Sequence, residues 1–143
     1  DHALSFARNY EGDPRLIITL VLKLLAKKLN EPRVLAIPKL IFREVAGFPE
    51  LAVMYRREVL DRMLPVLEGL IRKGIDQGHL RPVDPQLTIR SIMGPVVLHV
   101  AMAEIFGISP PGGLAMERLI DNHLTILFDG LSAPAGGKQW TSS

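Results

Sequence analysis

No cysteine occurs in the 143 residues, which excludes disulfide staples, thiolate nucleophiles and cysteine metal sites. That absence accords with a reducing cytoplasm, the compartment expected for this chain. Aromatic residues are scarce, with one Trp, two Tyr and five Phe, and neither sign of charge dominates, since 17 basic against 15 acidic residues leave a net charge of +2. The basic residues come in scattered pairs (Lys27-Lys28, Arg56-Arg57, Arg72-Lys73), so no concentrated nucleic-acid face is present. Runs of alternating apolar residues, the mark of strands, are missing too. So are the spacings that chemistry leaves behind: His-Glu-x-x-His, Glu-x-x-His, a P-loop, Gly-x-Gly-x-x-Gly and Gly-x-Ser-x-Gly. Ser91 and His99 lie two helical turns apart, too far for a nucleophile to share its proton with a base. No catalytic residue, metal-ligand set or cofactor is expected.

What is present is apolar: hydrophobic residues make up 48% and charged residues 22%, a composition that folds as one ordinary domain burying roughly two-thirds of its unfolded surface. Two segments are greasy enough to compare with membrane spans. Leu16 to Leu29 is interrupted by Lys23, Lys27 and Lys28 and is too short for about 30 Å of hydrocarbon. Ile92 to Ile108 contains Pro95, His99 and Glu104. Both read as helices buried within protein, and no membrane partner is expected. Asp1 to Asp13 is polar and does not read as a signal peptide.

Proline and glycine punctuate five main helices. The first begins at Asp13-Pro14, where the carboxylate caps free N–H groups and proline occupies the first turn. Its polar residues Arg15, Thr19, Lys23 and Lys27 recur every fourth position, leaving one narrow wet stripe on a helix otherwise expected to face protein. A second helix restarts at Asn30-Glu31-Pro32 and closes near Gly47, a third runs from Pro49 to Gln77, and a fourth from Asp84-Pro85 to about Phe106. Pro38, Pro65 and Pro95 lie inside these three helices and predict bends or a break. The fifth helix, Leu114 to Leu131, carries the cleanest apolar period. Gly47 and Gly78 sit where helix ends favour a left-handed residue, and the Glu44 carboxylate is placed to accept from backbone donors at the start of the third helix. Residues 1–12 read as a flexible lead-in, 13–131 as the folded domain, and 132–143, small and polar apart from Trp140, as a disordered tail.

Two stretches carry more than punctuation: Glu44 with Phe48-Pro49-Glu50-Leu51, and Gly78-His79-Leu80-Arg81-Pro82-Val83-Asp84-Pro85. Glu-x-x-x-Phe-Pro-Glu-Leu followed by Gly-x-Leu-Arg-x-x-Asp-Pro resembles, in order and spacing, the C-terminal ligand-sensing and dimerising domain of TetR/AcrR-type transcriptional regulators. The resemblance covers about Asp13 to Leu131. It implies an all-α fold whose last two long helices pair with their copies in a dimeric four-helix bundle. It also implies a small-molecule effector enclosed by the first four helices. Operator DNA would be contacted only through an N-terminal helix-turn-helix domain that Asp1 to Asp13 is too short to form.

The residues themselves point the same way. The fourth helix is apolar on two sides, one of which is dried by the domain's own core while the other needs a second chain or a bound molecule. The homodimer interface is expected at Leu98, Met102, Ile105 and Phe106, and on the last helix at Leu119, Ile120, His123, Leu124, Leu127 and Phe128. Phe42, Tyr55, Met63, Met93, Val97 and His99 are the candidates for an effector pocket, with methionine and aromatic side chains giving an adaptable apolar wall. Each has plain core packing as its alternative, and for His99 the alternative is a buried donor satisfied within the fold. A helical protein-interaction module with no small-molecule ligand is the rival to the regulator reading.

Overall fold

A computed structural model describes residues 2–134 as helices joined by short turns. They are α1 (His2–Asn9), α2 (Pro14–Leu29), α3 (Pro32–Glu44), α4 (Pro49–Tyr55), α5 (Asp61–Asp76), α6 (Pro85–Phe106) and α7 (Met116–Leu131). A π-helical turn, Arg56–Leu60, joins α4 to α5, so the five expected helices correspond to α2, α3, α4 with α5, α6 and α7. The addition is α1, which lies in the segment read as a lead-in and packs on α5 through Ala7. The expected tail lies outside the described residues beyond residue 134.

Local chemistry explains the helix starts. Asp13 accepts from the Arg15 backbone N–H at 3.0 Å and Asp84 from that of Leu87 at 3.0 Å, with proline next in each case. Gly78 takes a φ of +80°, as a left-handed turn after α5 requires. Gly47 does not: the α3–α4 corner closes when its N–H and that of Phe48 donate to the Glu44 carbonyl at 3.1 and 2.9 Å. Glu44 thus serves the corner through its backbone oxygen rather than through the carboxylate expected above.

Pro38, Pro65 and Pro95 all sit inside continuous helices. The disturbance expected at Pro65 falls one turn earlier, in the π-helical segment that ends as Asp61 N–H bonds the Arg56 carbonyl. Proline at 65 offers no N–H to the Asp61 carbonyl and crowds it, and the widened turn just ahead takes up the distortion.

The main core gathers Ile18, Leu22 and Ala26 of α2, Ile92, Val96 and Val100 of α6, and Met116, Ile120 and Leu124 of α7. A smaller cluster joins Ala7, Ile17, Val66 and Leu70, fastening α1 to α2 and α5. Gly74 lets α5 approach the start of α2 closely, because an added Cβ would come within 2.6 Å of Pro14. The expectation that α2 is dry outside its wet stripe fails within one subunit, since Leu16, Leu20 and Leu24 are all more than half exposed.

A polar tie closes the bundle at one end. Arg15 grips Asp13 with Nε and Nη2 and donates Nη1 to the Ser132 hydroxyl at 2.9 Å. Arg81 donates Nε to the Ser132 carbonyl at 3.0 Å, and Leu80 and Ser132 form an isolated antiparallel bridge. The chain before α2, the α5–α6 turn and the end of α7 are thereby joined. The side-chain hydrogen bond from Arg15 holds the Asp13 carboxyl below the usual carboxylate range. A depressed folded-state pKa adds stability that is present above the unfolded value, about 3.9, and is lost as pH falls through the folded one. Asp13→Ala is predicted to cost about 1 kcal/mol at neutral pH, with the gap to the parent narrowing below pH of about 3.9. Thermal unfolding followed by circular dichroism from neutral to acid pH checks this.

Candidate functional site

Helix α6 organises the candidate site because its two sides differ in what covers them. Ile89, Ile92, Val96 and Val100 turn into the core, whereas Leu87, Leu98 and Ile105 recur at helical spacing on the open side, with Leu98 60% exposed. Phe106 closes the helix at 68% exposure. Ser91 and Gly94, both small, lie between the exposed apolar residues of this helix and leave room for a close neighbour. On α7, Ile126 is 65% exposed amid otherwise polar neighbours.

The ten residues expected at a dimer interface divide accordingly. Leu98, Ile105 and Phe106 are exposed and Met102 is half-buried, so all four remain on an accessible face. Ile120, His123 and Leu124 are buried in the subunit's own core and are corrected to core residues. Leu119, Leu127 and Phe128 are half-buried and pack against the same core. The apolar stripe of α7 was read as the seam between subunits because periodicity marks a dry face without saying what dries it. Here α2 and α6 do so. Leu87, in the first turn of α6, and Ile126, on the polar face of α7, are exposed apolar residues outside the expected set. Leu87 was legible, being eleven residues before Leu98 and thus on the same side of the helix.

Two histidines fasten α7 to α6. His123 Nε2 donates to the Ile92 carbonyl at 2.8 Å, within a turn of Pro95, where the helix lacks one backbone donor. His99 Nε2 bonds the carbonyl of Leu114, just ahead of α7. One of its ring nitrogens is thus satisfied within the fold.

The other pocket candidates line neither of the two cavities described in the protein. Phe42 and Met93 are half-buried and pack against the main core from α3 and α6, two helices that the Lys39–Glu104 ion pair of 3.4 Å also bridges. Tyr55 ends α4 and Met63 lies on α5, both half-buried, while Val97 is about half exposed on the open side of α6. Helices α3 and α4 bury no residue fully, and with the turn between them they expose Ile37, Leu40, Phe48, Val53 and Met54. They form a loosely held arm with an apolar surface of its own. The two cavities described in the protein, about 230 and 370 Å³, lie elsewhere, between α1 and α5. Among the described residues no group of three His, Asp or Glu side chains is placed to hold a metal ion.

The family model described as the tetracyclin repressor-like C-terminal domain matches residues 11–121, from just before α2 into α7. No curated protein and no solved structure matches the chain.

Leu98→Glu combined with Ile105→Glu is predicted to leave the helical content intact while reducing self-association. Ile120→Ala instead is predicted to lower stability by about 2–5 kcal/mol, as for a large-to-small change in a packed core. Circular dichroism and analytical ultracentrifugation of the three proteins check the assignment of the two faces.

Proposed function

Because the chain belongs to the family of tetracyclin repressor-like C-terminal domains, we propose that it is the effector-sensing and homodimerising part of a TetR-type transcriptional repressor acting in the cytoplasm. The observation that carries this reading is the exposed apolar side of α6, Leu87, Leu98 and Ile105 with Phe106, with Ile126 of α7 exposed as well. By length and composition α6 could also cross a membrane. Its inward side, however, is already packed against α5 and α7 through the core. A second copy meeting it about a two-fold axis dries the outward side, and an obligate interface of this kind buries on the order of 2,000 Å² or more. Leu98, Met102, Ile105 and Phe106, with Leu87 and Ile126 added, are the proposed contacts.

The effector in this reading is a small apolar or amphipathic molecule held beneath the α3–α4 arm, with Phe42 and Met93 on its wall and Tyr55 and Met63 at its edge. Support comes from the arm's shallow packing, which leaves apolar side chains ready to close on a ligand. The ligand acts by population shift: it favours the arrangement of the two subunits to which it binds better, and operator DNA is released or retained by N-terminal helix-turn-helix domains. A hundredfold change in operator affinity needs only about 2.7 kcal/mol of such preference. One observation favours a second reading, a protein-interaction module without a small ligand: none of the six candidate residues lines either described cavity.

A thermal-shift screen against apolar and amphipathic compounds separates the two. The regulator reading predicts saturable stabilisation by at least one class, weakened by Phe42→Ala or Met93→Ala. No stabilisation, or stabilisation indifferent to both variants, supports the interaction module.

A further inference from the structure

The groove between α1 and α5 has the makings of a second binding site, one that is independent of the effector reading above. Ala7, Pro65, Val66, Gly69 and Leu70 form an apolar wall around the cavity of about 230 Å³. Arg8 and Pro65 are shared with the adjoining cavity of about 370 Å³, which Leu4, Ser5, Asp61 and Arg62 complete. Taken as one groove they fall within the roughly 300–1,000 Å³ typical of small-molecule sites. At Gly69 an added Cβ would meet nothing within 4 Å, so the wall of α5 is recessed where the groove runs past it.

Of the charged side chains at the groove, Asp61 already has Arg56 at 3.5 Å. Lys73 is committed: its ammonium donates to the Arg8 carbonyl at 3.2 Å, the Tyr10 carbonyl at 3.3 Å and the Glu11 carboxylate at 3.0 Å, which clamps the end of α1 to α5. The guanidinium of Arg8 is exposed and makes no ion pair among the described residues, and Arg8 is the cation common to both cavities. A fork of N–H donors beside an apolar trough selects for one ligand chemistry, a carboxylate at the end of a hydrocarbon chain.

We propose that the α1–α5 groove binds a small amphipathic carboxylate, its chain laid along Ala7, Val66, Gly69 and Leu70 and its head group paired with Arg8. Such a ligand adds a second strap between α1 and α5 beside the one Lys73 supplies. The test is titration of the full chain with sodium octanoate, followed by ¹⁵N–¹H correlation spectra and calorimetry, with octan-1-ol and acetate as controls. Saturable octanoate binding is expected, with shifts concentrated in α1 and α5, and weaker binding of both controls. Arg8→Gln is expected to weaken octanoate about tenfold, the low end for a lost hydrogen bond to a charged group, as fits an exposed guanidinium. Gly69→Leu, which fills the recess at a position with open space, is expected to abolish binding without lowering the melting temperature. Phe42→Ala leaves it unchanged, which keeps this site distinct from the effector site: failure of one leaves the other standing. Non-saturable binding, shifts centred outside α1 and α5, equal binding of octan-1-ol, or indifference to both Arg8→Gln and Gly69→Leu overturns the proposal.

Discussion

Helix α6 is apolar on opposite sides, and a single layer of helices can dry only one of them. Ile92, Val96 and Val100 are covered mainly by α5 and α7 within the subunit, while Leu98, Ile105 and Phe106 face outward. Most other features follow from this imbalance. Burying one such side chain is worth about 1.5–3 kcal/mol. On the proposed reading, a row of them is what offsets the entropy of bringing two chains together.

Stability is unevenly spread across the rest of the subunit. One end is cross-linked by the Asp13–Arg15–Ser132–Arg81 network, and the middle is filled by Leu22, Met116 and Ile120, each almost wholly buried. By contrast α3 and α4 bury nothing completely and are held chiefly by half-buried residues such as Phe42 and by the Lys39–Glu104 pair. Segments with few buried contacts open at lower free-energy cost than the core, and elements that respond to ligands are drawn from them. A packed α2–α6–α7 core with a shallowly held α3–α4 arm is the layout through which the proposed population shift would act.

Much of this layout was legible in the sequence because proline and glycine act locally. Asp13-Pro14, Asp84-Pro85 and Gly78 each did what their own backbone chemistry dictates, and the family match over residues 11–121 agrees with the resemblance carried by the Phe-Pro-Glu-Leu and Gly-x-Leu-Arg turns. What escaped was what depends on neighbours distant in sequence. The dry stripe of α7 reads identically whether a subunit core or a second chain covers it, so Ile120, His123 and Leu124 were assigned to the wrong partner. Helix α1 was missed because eight residues carry little periodic signal, and its groove with α5 was missed with it. His99 and His123 likewise revealed their roles only once the Leu114 and Ile92 carbonyls were placed opposite them.

The central claim, that the outward side of α6 exists to meet a second copy of the chain, is tested most directly by the molar mass of the protein in solution. Sedimentation equilibrium at micromolar concentration is predicted to give twice the 15.8 kDa of one chain. A single species at 15.8 kDa across that range would contradict it.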